Sequence, residues 1–353
     1  MNLHIFCMRQ KRGVSVTTIK DIAAAAGVSP TTVSNVLHHH YRRVSPQTVE
    51  RIRSVIASMG YVPSMTARSL AGDSSRIIGV ISNLDPLGSG GFYMDPFHSE
   101  LLAGIERKLR EHGYFLMIRT VENAQELHSL LNNWSIDGLI MTGLFPQDIY
   151  DELRRQNTPV VLIDNPSGDE GMLHVQLEDR QGGYMATRHL LQNGHKRILF
   201  CCPSMEENGI VKQRYRGYCD AMAEFDCPVR SEDVYQSSFS IDAGLALGEE
   251  LAKRDDFTAS VATADILAAE LCSGLIQAGK RIPEDISVVG FDDSSMARLN
   301  DPPLTTIHQD AVKRGEKAVE LLLQAIETGL YVQPCVFPVS LVQRGSVKKI
   351  KEI

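Results

Sequence analysis

Between Thr18 and Leu37, TIKDIAAAAGVSPTTVSNVL, apolar positions recur at helical spacing in two short runs separated by a glycine. Ile19, Ile22, Ala23 and Ala26 share one face of a first helix, which Thr18 can cap with Asp21 closing a capping box. Gly27 supplies the left-handed backbone that ends a helix, Ser29 offers a second N-cap, and Pro30 takes the first helical position. Val33, Val36 and Leu37 then point inward, which leaves Pro30, Thr31, Thr32 and Asn35 near or on the outer face. Two such helices at a near-perpendicular corner are either a helix-turn-helix, whose second helix enters a DNA major groove, or an ordinary α-hairpin in a small bundle. Ser45–Pro46 repeats the start signal. Val49, Ile52, Ile56 and Met59 form a stripe that ends at Gly60, so a third helix closes the core over the first two.

Beyond Tyr61, Ser64 opens the segment MTARSLAG. It is too short to stand as a helix, since isolated helices below about 12 residues are marginal in water. Leu70 has no core to join. The segment is either a plain linker or a helix that forms only on DNA, with Leu70 as an apolar wedge in the minor groove. From Arg76 the pattern changes to apolar runs alternating with helical stretches. Strands are predicted at Ile77–Ile81, Tyr114–Ile118, Gly138–Met141 and Val160–Ile163, with a helix over Phe97–His112 and others between them. A crossover run at Leu173–Leu177 opens a second series. There, strands at Ile198–Cys202, Ser260–Ala262 and Ile286–Phe291 alternate with helices near 183–192, 212–225, 243–253 and 267–278. Such alternation predicts an α/β core of two doubly wound parallel-sheet lobes behind an N-terminal all-α domain. Two lobes of this kind bind a ligand in the cleft between them, outside the carboxyl ends of the strands.

Charge sharpens the division. The net charge is −7, but residues 1–76 hold ten Lys or Arg against three Asp or Glu, while the remainder holds 26 basic and 40 acidic residues. A basic head on an acidic body suits a head that meets phosphate and a body that avoids it. The seven cysteines are odd in number and without metal-ligand spacing, which points to reduced thiols and a cytoplasmic protein. Residues 1–13 have the wrong order and too short an apolar run for a secretory signal, and no segment reaches the roughly 18 apolar residues of a membrane span. Met1 and Met8 are both possible starts. The run HHHYRR, His38 to Arg43, places three histidines side by side, but neighbouring positions diverge and no cysteine or carboxylate is near. No metal is expected there, and Arg42 and Arg43 are better used on phosphate. No nucleophile elbow, phosphate loop or metal spacing marks the chain as an enzyme, and no cofactor is expected.

From about Thr17 to Arg344 the chain resembles the lactose-repressor/galactose-repressor family of bacterial transcription regulators. The resemblance is carried by IKDIAAAAGVSPTTVSNVL, RVSPQTVERIRSVIASMGYVPSMTARSLAG, IIGVI, HLLQNGHKRI, RYRGY, IPEDISVVGFDD and PPLTTIHQD, in this order. It implies a helix-turn-helix DNA-binding domain over 17–62, a hinge helix and linker over 63–75, and a core over 76–345 like that of periplasmic sugar-binding proteins. Residues 1–16 would then be a flexible extension and 346–353 a tail, with the chain crossing between lobes near 176, 307 and 338. It also implies a homodimer, or a tetramer, on a pseudo-palindromic operator, controlled by a small molecule of the sugar class.

Carried over by motif, Pro30, Thr31 and Asn35 face bases, with Thr18, Ser29, Thr32, Arg42 and Arg43 around them. Ala67, Arg68 and Leu70 belong to the hinge, and Leu70 opens the central base step. In the core, Phe97 stands where a ring stacks on the ligand, Arg214 in RYRG is the effector-binding arginine, and Asp265 and Asp292 are ligand carboxylates. Three departures stand out. Asn35 replaces a frequent arginine, Ala264 replaces an asparagine or serine, and the loop Asn83–Asp95 is long and brings Phe92 and Tyr93 near Phe97 in sequence. The residue types suit a polyol: carboxylates accept from hydroxyls, a guanidinium donates in a fixed fork, and aromatic faces cover a sugar ring. Read by themselves, Arg214 and Asp265 could equally cap helices or pair with each other.

Overall fold

A computed structural model describes residues 17–37, 40–61, 74–82, 95–165, 171–203, 205, 209–237, 240–330 and 334–350. The chain divides into two compact units, one ending at Asp73 and one beginning at Ser74.

The first unit contains α1 (Ile19–Ala26), α2 (Pro30–Leu37) and α3 (Pro46–Ser58). The capping box forms: Thr18 N donates to Asp21 Oδ2 at 2.8 Å, and Thr18 Oγ1 accepts from Asp21 N at 3.3 Å. Gly27 has φ 63°, and Val28 N closes back on Ala23 O at 3.0 Å, which turns the chain into α2. Ile22, Ala23, Ala26, Val33, Val36 and Ile52 make the core. Met59 does not complete the predicted stripe. The helix stops at Ser58, so Met59 lies past its last turn and is 36% exposed. Tyr41–Arg43 is a 3₁₀ turn, braced by Arg53 Nη2 donating to the Tyr41 hydroxyl at 2.9 Å. The expected hinge helix lies outside the described residues.

The second unit is the two-lobed core. Its first lobe runs through β1 (Ile77–Ser82), α4 (Pro96–Glu111), β2 (Phe115–Thr120), α5 (Ala124–Asn133), β3 (Gly138–Thr142), α6 (Gln147–Gln156), β4 (Val160–Ile163) and β5 (Leu173–Leu177). The second runs through α7 (Asp179–Gln192), β6 (Ile198–Cys202), α8 (Ile210–Glu224), β7 (Val234–Gln236), α9 (Ile241–Leu251), β8 (Ala259–Ala262), α10 (Asp265–Gln277), β9 (Ser287–Asp292), α11 (Ser295–Leu299) and β10 (Thr305–His308). The chain then returns to the first lobe for α12 (Ala311–Thr328) and β11 (Cys335–Phe337), and ends in the second with β12 (Ser340–Val342). The sheet orders are β11-β5-β4-β3-β1-β2 and β12-β10-β9-β8-β6-β7, parallel throughout except for β12. Apolar clusters cover both faces of each sheet. The strands accordingly read as continuous apolar runs.

Three boundaries differ from expectation. Leu173–Leu177 is not the opening of the second series but a strand of the first sheet, because Val161 pairs directly with Leu173 and the crossing follows at Glu178. The core starts at Ser74 rather than 76. The Asp137 carboxylate collects Ser75 N at 2.9 Å and Arg76 N at 3.0 Å and so binds this segment to the first sheet. Residues 346–350 are not a tail. Ser346 is fully buried, donating to Val288 O at 2.6 Å and accepting from Thr305 N at 2.8 Å, and Ile350 N reaches Asn193 O at 2.8 Å.

This last segment is pinned by His195. A carbonyl only accepts, so Nε2–H donates to Lys348 O at 3.1 Å, which leaves Nδ1 to accept from the Thr258 hydroxyl at 2.8 Å. Burial lowers the imidazole pKa from 6.5 to about 4. The unfolded chain therefore takes up this proton first as pH falls. Stability that is complete above pH 6.5 should be lost between pH 6.5 and 4, by up to about 3 kcal/mol. A His195→Gln variant should show a flatter melting-temperature profile across that window, measured by calorimetry.

Candidate functional site

In the first unit, α2 turns Val33 and Val36 into the core. Ser29, Pro30 and Thr31 are consequently exposed at its start, with Thr32 and Asn35 half-buried. Ser29 Oγ accepts from Thr32 N at 3.1 Å, which fixes the first turn and leaves Thr31 facing out. Thr18 is exposed, its hydroxyl donating to Asp21 at 2.7 Å, and Arg42 is exposed on the 3₁₀ turn. The Arg43 side chain lies outside the described residues, as do Ala67, Arg68 and Leu70. Lys20, Arg42, Arg51 and Arg53 are exposed on this small unit, against Asp21, which is spent in the capping box, and Glu50. The surface therefore favours an anion.

In the second unit the polar chemistry gathers where the lobes join. Asp164 follows β4 and Asp292 ends β9, with left-handed φ of 59° and 117°, and Asp293 follows at 60°. Non-glycine residues are uncommon there, and such strain concentrates at functional sites. Arg314, completely buried on α12, donates from one terminal nitrogen to Asp164 Oδ1 and from the other to Gln309 Oε1. Gln309 Nε2 in turn donates to Asp292 Oδ1 at 2.6 Å. The relay Asp164–Arg314–Gln309–Asp292 thus spans both lobes. Glycines set the position of α12: a Cβ on Gly104 of α4 would meet Val312 O at 2.1 Å, which leaves the two helices in backbone contact.

A second pair lies beside the first. Arg214 of α8 donates from Nε to Asp179 Oδ1 at 2.8 Å and from a terminal nitrogen to Thr263 O, with its Cζ 3.6 Å from the centre of the Phe291 ring. Burial raises the Asp179 carboxyl pKa, an effect that Arg214 opposes. Burial also raises Asp292 well above the usual carboxylate range, with Arg214 opposing and Asp265 and Asp95 adding. Phe97 is buried at the start of α4, its ring 5.8 Å from Arg314 Cζ. A cavity of about 880 Å³ opens against this network, its wall including Asp164, Asp179, Arg180, Ile210 and Gln213. That volume suits a small molecule.

Asp265 stands apart. It is fully buried, accepting from Ser294 N at 2.7 Å and from the Thr306 hydroxyl at 2.6 Å, so both oxygens are engaged inside the second lobe. Burial raises its pKa to about 6 against these bonds. It ties the start of α10 to its neighbours, which is the structural reading of this residue rather than the ligand one. Asp293 diverges from Asp292 and holds Arg344 and His308 Nδ1, the latter at 3.0 Å. Phe92 and Tyr93 lie outside the described residues.

A model of bacterial regulatory proteins of the lacI family matches residues 18–64, and one of a periplasmic binding protein-like domain matches residues 187–347. The HTH-type transcriptional repressor PurR of Photobacterium profundum is 33% identical over 321 residues, covering 88% of this chain and 92% of the relative. The chain belongs to the lacI family of bacterial regulatory proteins. A second PurR, from Actinobacillus pleuropneumoniae serotype 3, is 32% identical over 347 residues, covering 96% of this chain and all of the relative. The lac repressor dimer bound to operator and the anti-inducer ONPF superposes with a TM-score of 0.79 at 26% identity, over 94% of this chain and 99% of that one. A transcriptional regulator CelR–cellobiose complex gives 0.71 at 27% identity, over 94% of this chain and 99% of that one. A LacI family regulator from Enterococcus faecium with bound ribose gives 0.69 at 29% identity, over 78% and 100%.

Four residues of this family member's inter-lobe network were not anticipated: Asp164, Asp179, Gln309 and Arg314. Arg314 left a trace in the pattern, since it falls on the stripe Ala311, Gly315, Ala318 and Leu322 that α12 buries. A charge on an apolar face calls for a buried partner. Asp164, behind the apolar run VVLI, and Asp179, at a helix start, look like ordinary strand-end and capping residues. Replacing Arg314 by Met would leave the Asp164 carboxylate buried without its cation. The expected loss is about 3–5 kcal/mol in urea unfolding, with much of it regained in the Asp164→Asn/Arg314→Met double variant.

Proposed function

We propose that this protein is a transcriptional repressor that binds a pseudo-palindromic operator as a homodimer, under the control of a small sugar-like effector held between the lobes of its core. The observation that carries the reading is the polar, exposed start of α2 over a packed apolar face, on a basic unit, in a chain of the lacI family. Relatives named as HTH-type transcriptional repressors support the regulatory sense, and the lac repressor dimer on its operator supports the arrangement on DNA. Cellobiose and ribose in the neighbouring structures support a sugar for the effector. The carboxylates and aromatic ring at the lobe junction support a ligand that offers hydroxyl donors.

In this reading Thr31 and Asn35 contact base edges, while Arg42 and Arg43 hold phosphate. Ala67, Arg68 and Leu70 act at the hinge, with Leu70 at the central base step. Asp292, Arg214 and Phe97 serve the effector, as do Phe92 and Tyr93 by their nearness to Phe97 in sequence. Asn35→Ala should change the preferred operator and cost roughly 1–3 kcal/mol on the best site, whereas Arg42→Ala should weaken all sequences alike and lower the salt dependence. Fluorescence anisotropy against a randomised operator set distinguishes the two. The core carboxylates should separate in the same way. Asp292→Asn should abolish the effector response with operator binding intact, and Asp265→Asn should lower the melting temperature while leaving effector affinity in place. Equal effector affinity in Asp292→Asn and the natural protein would remove Asp292 from the site.

A further inference from the structure

The pocket at the lobe junction is rich in charge, yet every arginine in or behind its wall is already held by its own aspartate. Arg314 is held by Asp164 and Arg214 by Asp179, both pairs nearly closed from water. On the outer wall, Arg180 is gripped by both oxygens of Asp220, at 2.6 and 3.0 Å. Asp292 lies outside this wall, in the adjoining network, where it accepts from the neutral amide of Gln309. Glu178 adds another acid to the wall. Among the described residues the pocket therefore carries more carboxylate than guanidinium. The bonds to Asp164, Asp179 and Asp292 all engage Oδ1, which leaves Oδ2 of each as the atom that can receive a donor.

We propose that this pocket selects against anionic ligands: Asp164 and Asp179 silence the arginines that would otherwise receive a phosphate, so the effector is an unphosphorylated molecule presenting hydrogen-bond donors. This rests on the pocket being the effector's, as read above, and names the chemical class admitted. The physical ground is the fixed polarity of the groups. A guanidinium can only donate, and its charge, once matched by a buried carboxylate, is not available to a second anion without separating the pair. A phosphoryl group would face surplus carboxylate in a poorly solvated space, whereas a hydroxyl or amine adds the donor that Oδ2 lacks.

The test uses inorganic phosphate as probe and the full chain, read by thermal melting at neutral pH. Phosphate stabilises proteins weakly by exclusion from their surface, so the arginine-deleted double variants supply the background. Wild type should follow that background. Asp164→Asn and Asp179→Asn should each free a guanidinium and bind phosphate saturably, about tenfold or more tighter than wild type by the dependence of melting temperature on concentration. Asp164→Asn/Arg314→Met and Asp179→Asn/Arg214→Met should lose that gain. Asparagine tolerates the left-handed backbone at 164, and the Asp179 arm stands independently should the first variant fail to fold. Saturable binding of phosphate by wild type beyond that of the double variants, which keep the basic surface of the helical unit, or no gain in a folded Asn variant, overturns the proposal. A neutral sugar panel that never alters operator affinity would instead count against the effector reading, and leaves the phosphate outcomes standing.

Discussion

Two guanidinium groups and three carboxylates, almost closed off from water, must satisfy one another where the lobes meet, and the rest of the core is arranged to let them. Desolvating each ion costs several kcal/mol, and a buried charge stranded by its partner costs about 3–5 kcal/mol. None of the five can therefore change partner alone. Arg314 also dictates orientation. Because its guanidinium only donates, Gln309 must turn its oxygen toward Arg314 and its nitrogen toward Asp292. A side chain on the crossing segment thereby fixes what a carboxylate of the second lobe can accept, from a position on a helix of the first.

The same constraint bears on how a ligand could act at a distance. A ligand shifts a conformational equilibrium only through contacts that differ between the two states. In the proposed site the contacts open to competition include those of Asp292, Asp164 and Asp179. Competition for Asp164 or Asp292 is felt at the start of α12 through Arg314 and Gln309, and competition for Asp179 at Arg214 of α8. Helix α12 lies in backbone contact with α4 through Gly104 and Gly315, which leaves little side-chain material between the two to absorb a change. The first turn of α4 carries Phe97.

The strands and helices up to β9, apart from the short β7, were legible from the sequence, as were the capping box and the glycine turn, because each is written locally, in periodicity or in a cap; α11, α12 and β10–β12 were not read from it. Leu173–Leu177 was misassigned because its sheet is decided by pairing with Val160–Ile163, and an apolar run does not state its partner. Residues 346–350 looked like a tail because their hydrogen bonds go to Ser287, Val288 and Asn193, far away in the chain. At the site, Arg214 and Asp292 were legible through motifs, but their partners Asp179 and Gln309 were not. Asp265 shows the opposite failure. The aspartate itself matches the motif, although Ala264 beside it does not, yet Ser294 and Thr306 each engage one of its oxygens, and only three-dimensional packing reveals that.

The late return of the chain also sets an order of events during synthesis. The first lobe lacks α12, which fills its core, until residue 328 has been made, and the second lacks Ser346 between Val288 and Thr305 until residue 346 has been made. Chains emerge at roughly 5–20 residues per second and domains fold as units, so neither lobe can close while most of the other is being translated. Both must wait for residues between 311 and 346. The small helical unit needs only residues within 17–61 for its core and is free to fold long before. Of the two functional halves of this regulator, the one proposed to bind DNA is thus complete on the ribosome well ahead of the one proposed to govern it.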